Sequence, residues 1–357
     1  MRLIDLFSGC GGFSLGAHQS GFSVAAAFDN DETLTSSFPL NFPRTRLFLA
    51  DVAKLDGATV RRLVGARIDG VFGGPPCQGF SDIGRRDRDD PRRKLVWHFF
   101  RIVSELQPSF FVMENVRGLA YLGARDILEE AQDLLRDRYR VWGPVLLDAA
   151  DFGAATARRR LFMVGIHKGR GDQFALEDLQ PYRIPAATVR AAIDDLRDAV
   201  HIGERANFDV WRIARAGRPS GYAKVLRSRD STFTGHRPTL HSDAVTRRFA
   251  EVAQGAVDLV GRHHRLSWEG QCPTLRAGTG VDRGSYQSVR PLHPEEPRVI
   301  TVREAARLQG FPDEHLFHPT VWHSFRMIGN SVVPSIAKAI FSAIQPKVTA
   351  RRLIAAE

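Results

Sequence analysis

The sequence is poor in cysteine: among 357 residues only Cys10, Cys77 and Cys272 carry a thiol. An odd, widely spaced set gives neither a disulfide framework nor a CxxC metal knuckle. No metal site is therefore expected, and a reducing, cytoplasmic setting is. No stretch approaches the ~18 unbroken apolar residues of a membrane span, so no membrane partner is expected. The opening run Met1-Arg2-Leu3-Ile4-Asp5-Leu6-Phe7 holds an acid among its apolar residues and then turns glycine-rich. That is the pattern of a first core strand rather than a signal peptide. Internal repeats and low-complexity tracts are absent. So is the spacing G-x-G-x-x-G after the first strand, which disfavours a nicotinamide dehydrogenase.

The composition, 43% hydrophobic and 25% charged, is that of a globular chain, and the length suits two domains or one with a large insertion. The net charge of +10 is unevenly spread: from Arg205 to Arg248 ten basic residues face only Asp209, Asp230 and Asp243. Such an excess attracts polyanions, although a merely solvated basic face would read the same way.

The first ~165 residues alternate strands with helices. Leu3–Phe7, Val24–Phe28, Asp69–Phe72, Phe110–Met113 and Leu161–Gly165 read as strands, and Phe13–Ser20 and Leu95–Gln107 as helices. This order implies an α/β fold with a parallel sheet covered on both faces. From residue 168 to ~300 the pattern breaks into Arg-, Gly-, Pro-, Ser- and Thr-rich sequence, read as a smaller, irregular domain. Order returns at Thr301, an N-cap with Glu304 completing a capping box. A last helix is expected over Ser335–Ala343, followed by a loosely held tail.

Four short segments carry chemistry. Asp5-Leu6-Phe7-Ser8-Gly9-Cys10-Gly11-Gly12 ends a strand and opens a helix; its glycines let a ligand approach the backbone. Asp29 lies 20 residues beyond Gly9, placed to accept from ribose hydroxyls, and Asp51 follows another apolar run. Together they suggest an adenosine-bearing cofactor. Gly74-Pro75-Pro76-Cys77-Gln78 sets a cysteine on a stiff loop after a strand. A lone cysteine in such a turn is more often a small buried residue, but this is also where parallel sheets bind ligands. Met113-Glu114-Asn115-Val116 puts a carboxyl group at the next strand end, where burial could keep it protonated. Arg158-Arg159-Arg160 precedes a strand whose alternation sets Arg158 and Arg160 on one side.

Taken in order, these segments resemble the cytosine-5 DNA methyltransferase family over nearly the whole chain, from Leu3 to Ile340, apart from the variable stretch near 168–265. Pro75-Pro76-Cys77-Gln78 resembles the family's nucleophile motif, Glu114-Asn115-Val116 its acid motif and Arg158-Arg159-Arg160 its R-x-R motif. Arg303-Glu304-Ala305-Ala306-Arg307-Leu308-Gln309-Gly310-Phe311-Pro312 and Gly329-Asn330-Ser331-Val332-Val333-Pro334 resemble its last two motifs. One departure stands out: Ala155-Thr156 occupies the place of the family's usual Pro-Gln, which puts in doubt how the catalytic loop is fastened.

The resemblance implies a Rossmann-like S-adenosylmethionine-dependent fold, with residues 1–167 and 322–345 as catalytic domain, 168–321 as target-recognition domain and 346–357 as tail. It implies that Cys77 attacks C6 of a flipped-out cytosine, that Glu114 contacts N3 and the exocyclic amine, and that Arg158 and Arg160 hold the base oxygen and flanking phosphate. S-adenosylmethionine would be held by Phe7, Gly9, Gly11, Asp29, Asn30, Asp51, Val52, Pro76, Leu95, Asn330 and Val332. Double-stranded DNA would be met by Ser81, Arg85 and Arg86 on a closing loop, and by Arg227, Arg229, Thr232, Thr234 and Arg237. A monomeric modification enzyme, with or without a cognate restriction endonuclease, is the expectation. A tRNA cytosine-5 methyltransferase and an inactive DNA-binding regulator on the same fold are the alternatives.

Overall fold

A computed structural model describes residues 1–76, 94–120, 125–214, 219–277 and 289–354. The chain divides into two compact units: residues 1–148, 159–183 and 334–357 form the first, and residues 149–158 and 184–333 the second.

The strands of the chain's first half are β1 (Arg2–Leu6), β2 (Ser23–Asp29), β3 (Arg46–Leu49), β4 (Gly70–Gly73), β5 (Phe110–Asn115), β6 (Tyr139–Asp148), the two-residue β7 (Thr156–Ala157) and β8 (Arg159–His167). Its helices are α1 (Gly12–Gln19), α2 (Glu32–Thr35), α3 (Phe38–Asn41), α4 (Gly57–Val64), α5 (Lys94–Leu106) and α6 (Arg125–Asp133). Seven strands of the first unit form one sheet in the order β3-β2-β1-β4-β5-β8-β6. The first five run parallel, and β8 is antiparallel to both its neighbours. This is the Rossmann-like sheet with an added antiparallel strand that the resemblance implies. Strand order reverses between β1 and β4, and such a switch point opens a crevice at the strands' C-terminal ends. Both loops singled out in the sequence, after β1 and after β4, start there.

The sequence explains the elements. Every residue of β5 is buried, as a central strand covered on both faces requires. In α5 the buried residues Val96, Phe99, Phe100, Val103 and Leu106 recur at helical spacing. Phe99 and Phe100 meet Phe111 edge to face at 6.2 and 5.6 Å. Burying each such ring contributes about 1.5–3 kcal/mol.

The last helix of the chain corrects the expected tail. It runs from Pro334 to Ile354, with Ile340, Ile344 and Val348 buried on one stripe. The expected end at Ala343 is passed and the helix continues through Pro346, a residue that leaves the carbonyl four positions back without its helical donor. Here that carbonyl, on Ser342, accepts instead from the Tyr182 hydroxyl at 3.0 Å. Lys347 also pairs with Asp178 at 2.8 Å. The stretch Lys168–Arg183, assigned by sequence to the irregular domain, therefore groups with the first unit. An 18-residue window within Val321–Val348 averages a hydropathy of 1.4, but 78% of that window is buried inside the protein.

The second unit holds β7, β9 (Ala199–Arg205), β10 (Phe208–Ile213), β11 (Thr232–Thr234) and β12 (Cys272–Pro273), with α7 (Val189–Ile193), α8 (Gly221–Leu226), α9 (Asp243–Ala250), α10 (Val302–Leu308) and α11 (Val321–Asn330); the helix Pro334–Ile354 is α12. A three-stranded antiparallel sheet, β11-β10-β9, gives more order than the sequence reading anticipated. Residues 322–333, expected to rejoin the catalytic domain, group with this unit. The Thr301–Glu304 capping box opens α10. The arginines of that motif are fully buried and architectural. Arg307 is paired with Asp313 by two bonds of 2.7 Å, and Arg303 donates to the carbonyls of Thr234, Pro312 and His315.

Candidate active site

The loop after β1 is held open by its backbone. Phe7, Gly9 and Gly11 all have positive φ, which costs a glycine little and a phenylalanine more. The strain at Phe7 is offset by two bonds, from the N–H groups of Phe7 and Ser8 to the Phe28 carbonyl, at 2.8 and 3.2 Å. Asp29, at the end of β2, accepts from the Gly9 N–H through one carboxylate oxygen and from the Asp31 N–H through the other, each at 2.9 Å. Burial raises its pKa, and those two bonds work against the rise. Behind the loop, buried Asp5 accepts from the Ser14 hydroxyl at 2.6 Å. Burial raises its pKa well above the usual range, with the Ser14 bond opposing.

This loop has features that suit a polar, adenosine-bearing ligand. The Ser8 hydroxyl is buried, and among the described residues nothing hydrogen-bonds to it, a costly state for a buried polar group. Phe7 is half-buried against the core, Val52 is buried, and Asn30 is exposed. Asp51 accepts from the Ala53 N–H at 3.0 Å, so one of its oxygens is engaged by its own turn. Leu95, in the first turn of α5, and Pro76 are half-buried. Asn330 and Val332 lie in the second unit, one exposed and one buried.

The second cluster lies at the ends of β4 and β5. Buried Glu114 forms an ion pair with half-buried Arg160, with Nε to Oε1 at 3.0 Å. Burial works against the Arg160 charge, and Glu114 opposes that effect. Gly74 passes so near that a Cβ there would stand 3.0 Å from the Glu114 Oε2. Asn115 is buried and donates from its side-chain nitrogen to the Pro75 carbonyl at 3.1 Å, while its oxygen accepts from Val116 N–H at 2.8 Å. The Pro-Pro loop is thus tied to the adjacent strand two residues before Cys77. Sequence reasoning quoted Asn115 within a motif and gave it no role; its buried place at a strand end beside an acid was the available signal. Cys77, Ser81, Arg85 and Arg86 lie outside the described residues. The other two thiols are buried, and burial pushes Cys10 up to about 12 and Cys272 upward as well.

Arg158 departs from its expected place beside a base. It is 2% exposed, and its guanidinium donates to the carbonyls of Leu275 (3.0 Å), Gly329 (2.7 Å) and Ser331 (2.9 Å). Those bonds engage it as an internal brace of the second unit. Thr156, in the departing dipeptide, is buried and donates to the Cys272 carbonyl at 2.9 Å, and Cys272 N–H donates to Ala155 at 2.8 Å. The dipeptide thus laces two strands of the second unit, β7 and β12.

Among the expected DNA contacts, Arg227 is paired with half-buried Asp195 at 2.8 Å, which engages it inside the second unit. The Thr232 hydroxyl is bonded to Asp230, and the Thr234 carbonyl accepts from Arg303. Arg229 is exposed; Arg237 is exposed and paired with Glu204.

The family model for C-5 cytosine-specific DNA methylases matches residues 1–346. The type II methyltransferase M.XorII of Xanthomonas oryzae pv. oryzae is 43% identical over 364 residues, covering 94% of this chain and 82% of its own. M.NgoPII of Neisseria gonorrhoeae is 31% identical, covering 97% of this chain and 95% of its own. A crystal structure described as a DNA modification methyltransferase encoded within an E. coli prophage superposes with a TM-score of 0.85 at 37% identity, covering 98% of this chain and 99% of the other.

Proposed function

The chain belongs to the C-5 cytosine-specific DNA methylase family, and on that premise we propose that it methylates C5 of a cytosine within a specific sequence of double-stranded DNA, with Cys77 as nucleophile. As a member of the family it is a transferase, and S-adenosylmethionine supplies the methyl group. The observation that carries the site is the Glu114–Arg160 pair, which stands beside Gly74 and next to Asn115, whose side chain is bonded to the loop that leads to Cys77.

The chemistry assigned to these residues follows. Cytosine C5 is a weak nucleophile. Addition of the Cys77 thiolate to C6 turns C5 into an enamine-like carbon able to take the methyl group. Loss of the C5 proton then breaks the C6–S bond and frees Cys77. Glu114 would hold the base at N3 and the exocyclic amine, and Arg160 would hold the base oxygen while keeping Glu114 oriented. Phe7, Ser8 and Asp29 would hold the cofactor, with the Ser8 hydroxyl, which has no partner among the described residues, meeting one of its polar groups. C6 is unreachable inside a duplex, so the base is extruded at a cost of a few kcal/mol. Arg158 is reassigned from base contact to bracing. The second unit would read the target sequence. The protein would act as a monomer in the cytoplasm, as one half of a restriction-modification pair or alone.

Transfer of labelled methyl groups tests this reading. Label should enter duplex DNA at a fixed sequence, be located at cytosine C5 by bisulfite sequencing, and be abolished by Cys77→Ala. Label entering tRNA instead, or survival of transfer in Cys77→Ala, would overturn it.

A further inference from the structure

The second unit contains a groove of about 390 Å³ lined by Arg237, Arg276 and Arg290 together with Trp322 and Phe325, and no carboxylate lines it among the described residues. Three guanidinium groups around one groove repel each other unless an anion sits among them. Arg237 is already paired with Glu204, which lines a different cavity of about 130 Å³. Arg276 and Arg290 therefore hold most of the groove's unbalanced charge.

Both are held in place. Arg290 donates to the Thr239 hydroxyl at 3.0 Å and lies over the Phe325 ring at 5.2 Å, so one face of its guanidinium is fixed. Burial works against its charge, which an anion in the groove would restore. Arg276 is exposed, but the segment carrying it is laced down on its N-terminal side. Cys272 and Pro273 pair with Thr156 and Ala157, the Thr274 hydroxyl donates to the Ala157 carbonyl at 2.9 Å, and the Leu275 carbonyl accepts from Arg158. A fixed arginine loses less freedom on binding than one on a loose loop.

We infer that this groove holds a phosphodiester of the DNA backbone, with Arg276 and Arg290 as its contacts and Trp322 as the wall beside it. The inference rests on the proposed DNA methyltransferase reading. The lining favours a phosphate over a base edge: among the described residues its charged groups are all guanidinium donors, and no side-chain carboxylate or amide stands there to read a base. Planar guanidinium forks match phosphate oxygens. Contact with phosphate fixes the register of the protein on the duplex without selecting sequence.

The test is the salt dependence of binding by the full chain. Affinity is measured between 50 and 200 mM salt for a duplex that the enzyme methylates and for a duplex of equal length that it does not. Loss of one phosphate contact lowers the slope of log K against log salt by about 0.9, or about eightfold in affinity near 0.1 M salt. Arg276→Ala and Arg290→Ala should each show this on both duplexes alike, and Arg276→Lys should keep the slope. Because Arg276 is exposed, its alanine variant tests the groove without disturbing the fold. An unchanged slope in Arg276→Ala, or a loss confined to the methylated duplex, overturns the phosphate assignment. If the wild-type chain methylates DNA while that slope is unchanged, the groove assignment alone falls. If the wild-type chain neither binds nor methylates DNA, both readings fall.

Discussion

Replacing Arg158 separates a bracing role from a base-binding one. Its guanidinium is 2% exposed and donates to three main-chain carbonyls, of Leu275, Gly329 and Ser331. A hydrogen bond from a charged donor contributes about 1.5–3 kcal/mol, and the three share one group, so their effects do not simply add. Arg158→Met keeps the length of the side chain and removes the donors. It leaves three acceptors to find water or nothing, while relieving the cost of burying a charge. The net loss should be about 3–5 kcal/mol, the range seen when a buried polar network is broken from one side. At ~2–4 °C per kcal/mol for a unit of this size, the melting temperature should fall by about 6–20 °C. Arg158→Lys restores the charge but not the planar fork, and should recover less than half of the loss. The assay is thermal unfolding by circular dichroism, paired with methyl-transfer rates at a temperature where all variants are folded. A melting temperature unchanged to within a degree or two, with kcat down by orders of magnitude, would refute the brace and return Arg158 to the substrate.

Other consequences can be checked alongside. Asn115→Asp keeps the side chain's size and its bond from Val116 but cannot donate to Pro75, so kcat should fall about 10–100-fold with little change in melting temperature; equal losses of both would mean a structural role only. At pH 8 a thiol held up to about 12 is only about 10⁻⁴ thiolate, so Cys10 should stay silent to thiol reagents, as should buried Cys272, and one rapid equivalent in the native protein should become three on denaturation. A second rapid native thiol would contradict this. Stability should also fall on acidification. Burial lowers the pKa of His236 and His293 below 6.5. For Glu304 burial acts upward, but the Arg298 pairing outweighs it and holds the group at about 2. In each case the unfolded chain takes up protons first. The contribution of these three groups is therefore full above about 6.5, declines below it as the histidines protonate in the unfolded state, and declines further from about 4.5 towards 2 as Glu304 does, with the raised carboxyls of Asp5 and Asp29 offsetting part of the loss. Denaturant midpoints at pH 7.5, 5.5 and 4 measure this, and Glu304→Gln should flatten the lower window; midpoints that rise on acidification would refute it.

Much of the first unit was legible in advance because its signals are local. Alternating apolar runs and helical stripes place β1, β2, β4, β5, α1 and α5 to within a residue or two. The long strand β6 was missed: Tyr139–Asp148 has partly exposed positions along most of its length and gives no unbroken apolar run. The end of α12 was misplaced because the helix runs on through Pro346, and the donor that satisfies the Ser342 carbonyl left orphaned there comes from Tyr182, 160 residues away in sequence. At the site, residue types named the chemistry, but the partners of each arginine depend on which distant carbonyls and carboxylates the fold brings near.

The sequence by itself determined the parallel sheet, the order of the motifs and the family to which they belong, because strand-end glycines, a Pro-Pro-Cys segment and a capping box are each written within a few consecutive residues. Tertiary structure decided how neighbouring residues divide their work. Arg158 and Arg160 are two positions apart and chemically identical, yet one donates to three backbone carbonyls and the other pairs with Glu114. A guanidinium takes its role from what the fold places within about 3 Å of it, and no local pattern of residues specifies that.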